Sequence, residues 1–136
     1  MVDILDRLWE RSEVPLFAYG TLRQGSTRHG WVQNILTKQP QRCHTERGYD
    51  LMRHMVLDYP LMVRTGDENF VHGELQWLRV GNELLELVHM ELDAGFVMSL
   101  VNINWDSFAE PVPALSFLMP RTPKATPIAT GDWLNR

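Results

Sequence analysis

Leu16-Phe17-Ala18-Tyr19-Gly20-Thr21-Leu22-Arg23-Gln24-Gly25 is an apolar run that stops at a glycine and is followed by a short polar loop. Four apolar residues in a row read as a short buried strand. Gly20 and Gly25 bracket a hydroxyl, a leucine and a cation, so the strand ends in a tight loop. Glycine permits the unusual dihedrals and close approach that let loop N–H groups point at a ligand. Arg23 could hold a carboxylate or phosphate through a forked pair of hydrogen bonds. An ordinary strand-turn-helix corner, with Arg23 as an exposed loop cation, has the same pattern. Both readings stand at this point.

Outward from that stretch, residues 2–9 place Ile4, Leu5, Leu8 and Trp9 at helical spacing, so residues 1–14 read as an N-terminal helix or arm. After the glycine loop, Thr27 is expected to cap a helix through His29, Trp31, Val32, Ile35 and Leu36, with Pro40 ending it. Residues 41–52 hold an edge strand or loop, then a strand from Tyr49. Residues 55–57 and 59–63 read as short extended pieces, and Pro60 excludes the middle of a central strand. Residues 70–78 alternate, with Val71, Gly73, Leu75 and Trp77 on one side and His72, Glu74 and Gln76 on the other. A helix opens at Gly81-Asn82 and carries Leu84, Leu85, Leu87 and Val88. Strands are expected at 96–103 and 114–119, and the three prolines of 120–127 suggest a linker over the surface. The tail ends in a turn with an apolar anchor. This order is neither regular βαβ alternation nor pure β. It fits an α+β mixed sheet with a few helices packed outside it.

The chain of 136 residues suits one domain with a proper core. Its net charge of −4 argues against a nucleic-acid surface, and no apolar run is long enough to cross a bilayer. The first 13 residues do not read as a secretory signal. One cysteine, Cys43, cannot form an intramolecular disulfide and suits a reducing compartment, so a cytoplasmic location is expected. Trp9 and Trp105, if exposed, could mark a homodimer contact, and equally could be core residues.

Five scattered histidines with no His-x-x-x-His pair make no metal signature. Cys43 lies in a polar segment without a nucleophile's surroundings. Among the carboxylates, Glu91 ends an apolar helical run. If partly buried, its pKa would rise toward the range useful for proton shuttling. On the wet side of the helix beside Asp93 it would be a surface residue, and the pattern alone favours that. Glu74 reads as a surface or rim residue.

Four pieces together resemble the gamma-glutamylcyclotransferase-like family. Tyr19-Gly20-Thr21-Leu22 is similar to its Tyr-Gly-Ser/Thr-Leu signature, and Tyr59-Pro60-Leu61-Met62-Val63 to its Tyr-Pro-Gly-Ala-Val element. Val71-His72-Gly73-Glu74-Leu75 looks like its Val-x-Gly-Glu-Leu/Val strand, and Gly131-Asp132-Trp133-Leu134 like the closing Gly-Asp-Trp-Leu of some members. The resemblance implies a small mixed β-barrel with helices around it. It also implies a pocket between the Tyr-Gly loop and a helix bearing one acid. Glu91 matches that catalytic glutamate. The family's Asp, Gly, Tyr and Arg nearby are here Val88, Leu92, Phe96 and Met98. The implied activity is release of 5-oxoproline from a γ-glutamyl amine or peptide. Glu91 would be the acid/base, Tyr19, Gly20, Thr21 and Leu22 the substrate cradle, and Arg23 a further contact. No metal or organic cofactor is implied. The rival expectation is a protein of the same fold that binds a small anionic metabolite without turning it over.

Overall fold

A computed structural model describes residues 10–104, 110–120 and 124–136. Of the N-terminal helix or arm expected over residues 1–14, residues 1–9, with Trp9, lie outside the described residues, as does Trp105, and Glu13 and Val14 belong to the first strand. Among the described residues there are eight strands, β1 (Glu13–Ala18), β2 (Gln41–Thr45), β3 (Tyr49–His54), β4 (Pro60–Arg64), β5 (His72–Arg79), β6 (Val97–Asn104), β7 (Val112–Leu118) and β8 (Ala125–Pro127). Two α-helices among the same residues, α1 (Gly30–Gln33) and α2 (Asn82–Asp93), accompany them, with a 3₁₀ turn at Trp133–Asn135.

The strand β1 has neighbours on both sides, as its unbroken apolar run requires. It pairs antiparallel with β5 over Glu13↔Arg79 to Ala18↔Glu74, and parallel with β7 at Leu16↔Leu115. That parallel contact closes a five-stranded barrel in the order β1-β5-β2-β6-β7. A second sheet, β4-β3-β8, lies outside it, and Met119 N–H donates to the Met62 carbonyl to join the two at 2.9 Å. Pro60 opens β4, an edge strand, where its missing N–H removes no central ladder bond.

The two faces of β1 feed two apolar clusters. Val14, Leu16 and Ala18 meet Leu84, Leu87 and Val88 of α2 with Leu115 and Phe117 of β7. Phe17 and Tyr19 turn the other way, toward Leu75, Val101, Ile103, Ala114 and Trp133. Burial on both faces is what makes the strand apolar at every position from Val14 to Ala18 rather than at alternate ones. Trp133 is buried, the apolar anchor expected of the tail.

Several expectations are corrected. The first helix is one turn at Gly30–Gln33, with His29 as its N-cap and no side-chain cap bond, so Thr27 does not cap it. Residues 55–57 form the exposed turn between β3 and β4 rather than an extended piece. The proline-rich tract read as a linker contributes β8, which pairs with β3 at Met52↔Pro127. Glu74 and Gln76 are buried rather than wet, because the loop after β1 folds over that face of β5.

Candidate functional site

The helix α2 sets the position of the acid. Leu84, Leu87, Val88 and Glu91 occupy positions i, i+3, i+4 and i+7, one stripe of a 3.6-residue helix. The three apolar members are buried in the core, and Glu91 continues the stripe at its end, half-buried rather than on the wet side. Gly95, in the left-handed region at φ 100°, reverses the chain. The Glu91 carbonyl then accepts from Phe96 N–H at 3.1 Å, which brings Phe96 beside the acid.

A turn follows β1, with Arg23 N–H donating to the Gly20 carbonyl at 3.1 Å and Arg28 N–H to the Thr21 carbonyl at 2.8 Å. No described residue accepts a hydrogen bond from the N–H of Gly20, Thr21 or Leu22. Gly20 is required here for space. A Cβ would come within 2.3 Å of Pro60 Cγ.

These parts enclose a cavity of about 50 Å³, lined by Phe17, Ala18, Tyr19, Gly20, Thr21, Leu22, Arg28, Tyr59, Pro60, Glu91, Phe96 and Phe117. The structure therefore brings Tyr19, Gly20, Thr21, Leu22 and Glu91 together, from opposite ends of a stretch of more than seventy residues. The walls are largely apolar and aromatic. Burial among them pushes the Glu91 carboxyl above the ordinary carboxylate value, while the Arg28 guanidinium works in the opposite direction. The Tyr19 hydroxyl donates to the Phe117 carbonyl at 2.7 Å, and burial pushes its pKa upward, so it is a neutral, fixed wall of the cavity.

Arg23 stands elsewhere. It is neither an exposed cation nor part of this cavity: its guanidinium is buried and pairs with Asp132 at 2.6 Å, on the side of the loop that faces the C-terminal turn. Next to it, Glu74 Oε1 accepts from Gln24 N–H at 2.7 Å and from Gln76 Nε2 at 2.8 Å, and Gln76 also donates to the Leu22 carbonyl at 3.0 Å. The polar residues of β5 and the Arg23–Asp132 pair thus grip residues 22–24.

The sequence reading missed Arg28, Tyr59 and Phe117 as cavity residues. Arg28 sits in a polar loop with nothing local to distinguish it from its neighbours. Tyr59 lay in an element already noted for its order along the chain, and it packs at 6.3 Å between centroids against Phe96. Of the departures from the family pattern, Phe96 lines the cavity, whereas Leu92 and Met98 pack against the first apolar cluster. Among the described residues no three His, Cys, Asp or Glu side chains cluster as a metal site would require, and no helix is long and apolar enough to cross a membrane.

The family model for gamma-glutamyl cyclotransferase, AIG2-like, matches residues 16–135. The chain belongs to this family. Among solved structures, the uropathogenic Escherichia coli-specific protein c4763 superposes with a TM-score of 0.73 at 20% identity, covering 92% of this chain and 95% of that one. PH0828 from Pyrococcus horikoshii gives 0.66 at 20% identity over 90% and 91%. An AIG2-like protein from Mus musculus gives 0.66 at 18% identity over 79% and 78%. At these identities the likeness is one of fold. No curated protein matches the chain. The family and the closed mixed barrel support a cyclotransferase-like function.

Proposed function

We propose that the protein releases 5-oxoproline from a γ-glutamyl amine or peptide, with Glu91 as the general acid/base. The observation that supports this reading is one cavity shared by a half-buried carboxyl of raised pKa and a loop with three N–H groups unclaimed by the described residues. In the reaction the substrate's α-amine attacks its own γ-carbonyl carbon. A C–N bond forms within the five-membered ring and the bond to the departing nitrogen breaks. Because attack is intramolecular, the protein's main task is to hold the reactive conformer. Glu91, ionised, takes one proton from the α-ammonium to free the attacking lone pair and a second as that nitrogen becomes the lactam N–H. Both are passed to the leaving nitrogen, which departs as an ammonium, so two protons leave one nitrogen and two reach the other. The N–H groups of Gly20 to Leu22 hold the developing oxyanion or the α-carboxylate.

A second reading, binding of a small anionic metabolite without turnover, draws on Phe96, which gives the cavity wall no hydroxyl beside Glu91. The experiment that separates the two is 5-oxoproline release from a panel of γ-glutamyl amines and dipeptides. Glu91→Gln keeps the shape and removes the base, so kcat is expected to fall by about 10²–10⁴-fold. Release that persists in the variant would refute Glu91 as the base. No release by folded wild-type protein from any member of the panel would favour the binding reading.

A further inference from the structure

Arg28 supplies the cavity's positive charge: among the lining residues it is the one cation, facing the one carboxylate, Glu91. Its backbone is fixed to the ligand loop by the bond from Arg28 N–H to the Thr21 carbonyl at 2.8 Å. Its guanidinium carbon lies 4.8 Å from the centre of the Trp31 ring, a cation–π contact that limits its rotamers. No described carboxylate lies within ion-pair distance of it. Arg23, by contrast, is buried outside this cavity and pairs with Asp132.

Position along the cavity decides what Arg28 can reach. Ala18, Tyr19, Leu22 and Phe117 are buried and form the inner end, whereas Arg28 is exposed and stands at the solvent end. A γ-glutamyl compound with its head at the buried end, against the loop and Glu91, leaves its departing half at the exposed end. There it meets a planar, forked donor suited to a carboxylate.

We infer that Arg28 is the specificity-determining residue of this site and reads a carboxylate on the departing half of the substrate. The protein accordingly prefers a γ-glutamyl amino acid over the matching compound in which that carboxylate is a neutral amide. This assignment rests on the cyclisation reading for its turnover arm, and its binding arm stands without it.

The test compares γ-glutamyl-alanine with γ-glutamyl-alaninamide, which differ in the one charge. The wild type is expected to favour the carboxylate by at least tenfold in kcat/KM. Arg28→Gln should lower kcat/KM for the carboxylate compound at least ten times more than for the amide, and Arg28→Lys should restore part of the preference. A wild type that turns over both compounds equally well overturns the assignment. So does a variant that loses both compounds equally, which would place Arg28 on the common glutamyl head or on Glu91. The same pair is then measured by calorimetric binding to Glu91→Gln, with and without Arg28→Gln. A carboxylate preference in binding that disappears with Arg28, even if wild-type protein turns over neither compound, upholds Arg28 as the reader while refuting the cyclisation. Failure of folded Glu91→Gln protein to bind either compound overturns the inference.

Discussion

Glu74 offers the sharpest test of how the ligand loop is held. It is 5% exposed and accepts from Gln24 N–H and Gln76 Nε2 at 2.7 and 2.8 Å. Glu74→Ala removes the acceptor of both bonds at once. Gln76 keeps its bond to the Leu22 carbonyl, so its loss is one of two bonds, about 1 kcal/mol. The Gln24 N–H is left without a partner at a partly buried position, which costs about 1–2 kcal/mol more. The emptied side-chain volume adds a smaller term. The sum is ~2–4 kcal/mol, and for a chain of this size about 4 °C of Tm accompanies each kcal/mol, so Tm should fall by roughly 8–16 °C. Glu74→Gln keeps an acceptor oxygen and should lose less than about 1 kcal/mol. Residues 20–22 are gripped through residues 22–24, so Glu74→Ala should also raise KM by about tenfold at temperatures where it remains folded. Thermal unfolding and steady-state 5-oxoproline release measure the two effects. A Tm within 2 °C of wild type together with an unaltered KM would refute the argument that β5 holds the loop.

Three further outcomes follow from the same geometry. Cyclisation needs Glu91 ionised, so the rate should fall as pH drops through its pKa. Burial raises that pKa above the usual 4.5, and Arg28 opposes the rise. The acid limb of kcat/KM should therefore lie above pH 4.5 and move higher in Arg28→Gln, and a limb that stays in place would separate the two groups. Gly73→Ala would put a Cβ 2.4 Å from the Ala18 carbonyl oxygen and 2.7 Å from the Phe17 ring, both within the barrel wall, and should cost about 3 kcal/mol or more by denaturant titration. Burial pushes the Cys43 thiol up to about 12, with Glu74 adding to the rise, so at pH 8 only about one thiol in 10⁴ is thiolate. Ellman's reagent should react with the native protein no faster than it unfolds, and prompt reaction would show Cys43 to be accessible.

Much of this was legible in the chain because local rules agreed with the tertiary result. The apolar run into Gly20, the amphipathic stripe of α2 and the anchored tail each carry their own periodicity or turn chemistry. The misreadings share a cause. Glu74 and Gln76 alternate with apolar residues as a half-wet strand does, yet the loop folded over them supplies partners that no local pattern announces. The one-turn α1 looked longer because Ile35 and Leu36 continue a helical spacing, while Leu36 in fact bridges to Leu78. The strand β8 is three residues among prolines, too short for any periodicity to register, and exists because β3 has an edge to offer.

What the sequence by itself determined was the list of parts: a strand ending in a glycine loop, an apolar helical run that ends in an acid, and the order that matches the family. Those depend on spacing and on the dihedral freedom of particular residues, which are local properties. Only the tertiary structure decided the pairing of parts. Closure of β1 against β7 and the packing of α2 beneath β1 set Glu91 opposite residues 19–22. They also turned Arg23 inward to Asp132 and left Arg28 at the mouth. Arg23 and Arg28 carry the same side chain five positions apart, and which one lines the cavity is decided by where the rest of the chain folds, not by anything written beside either residue.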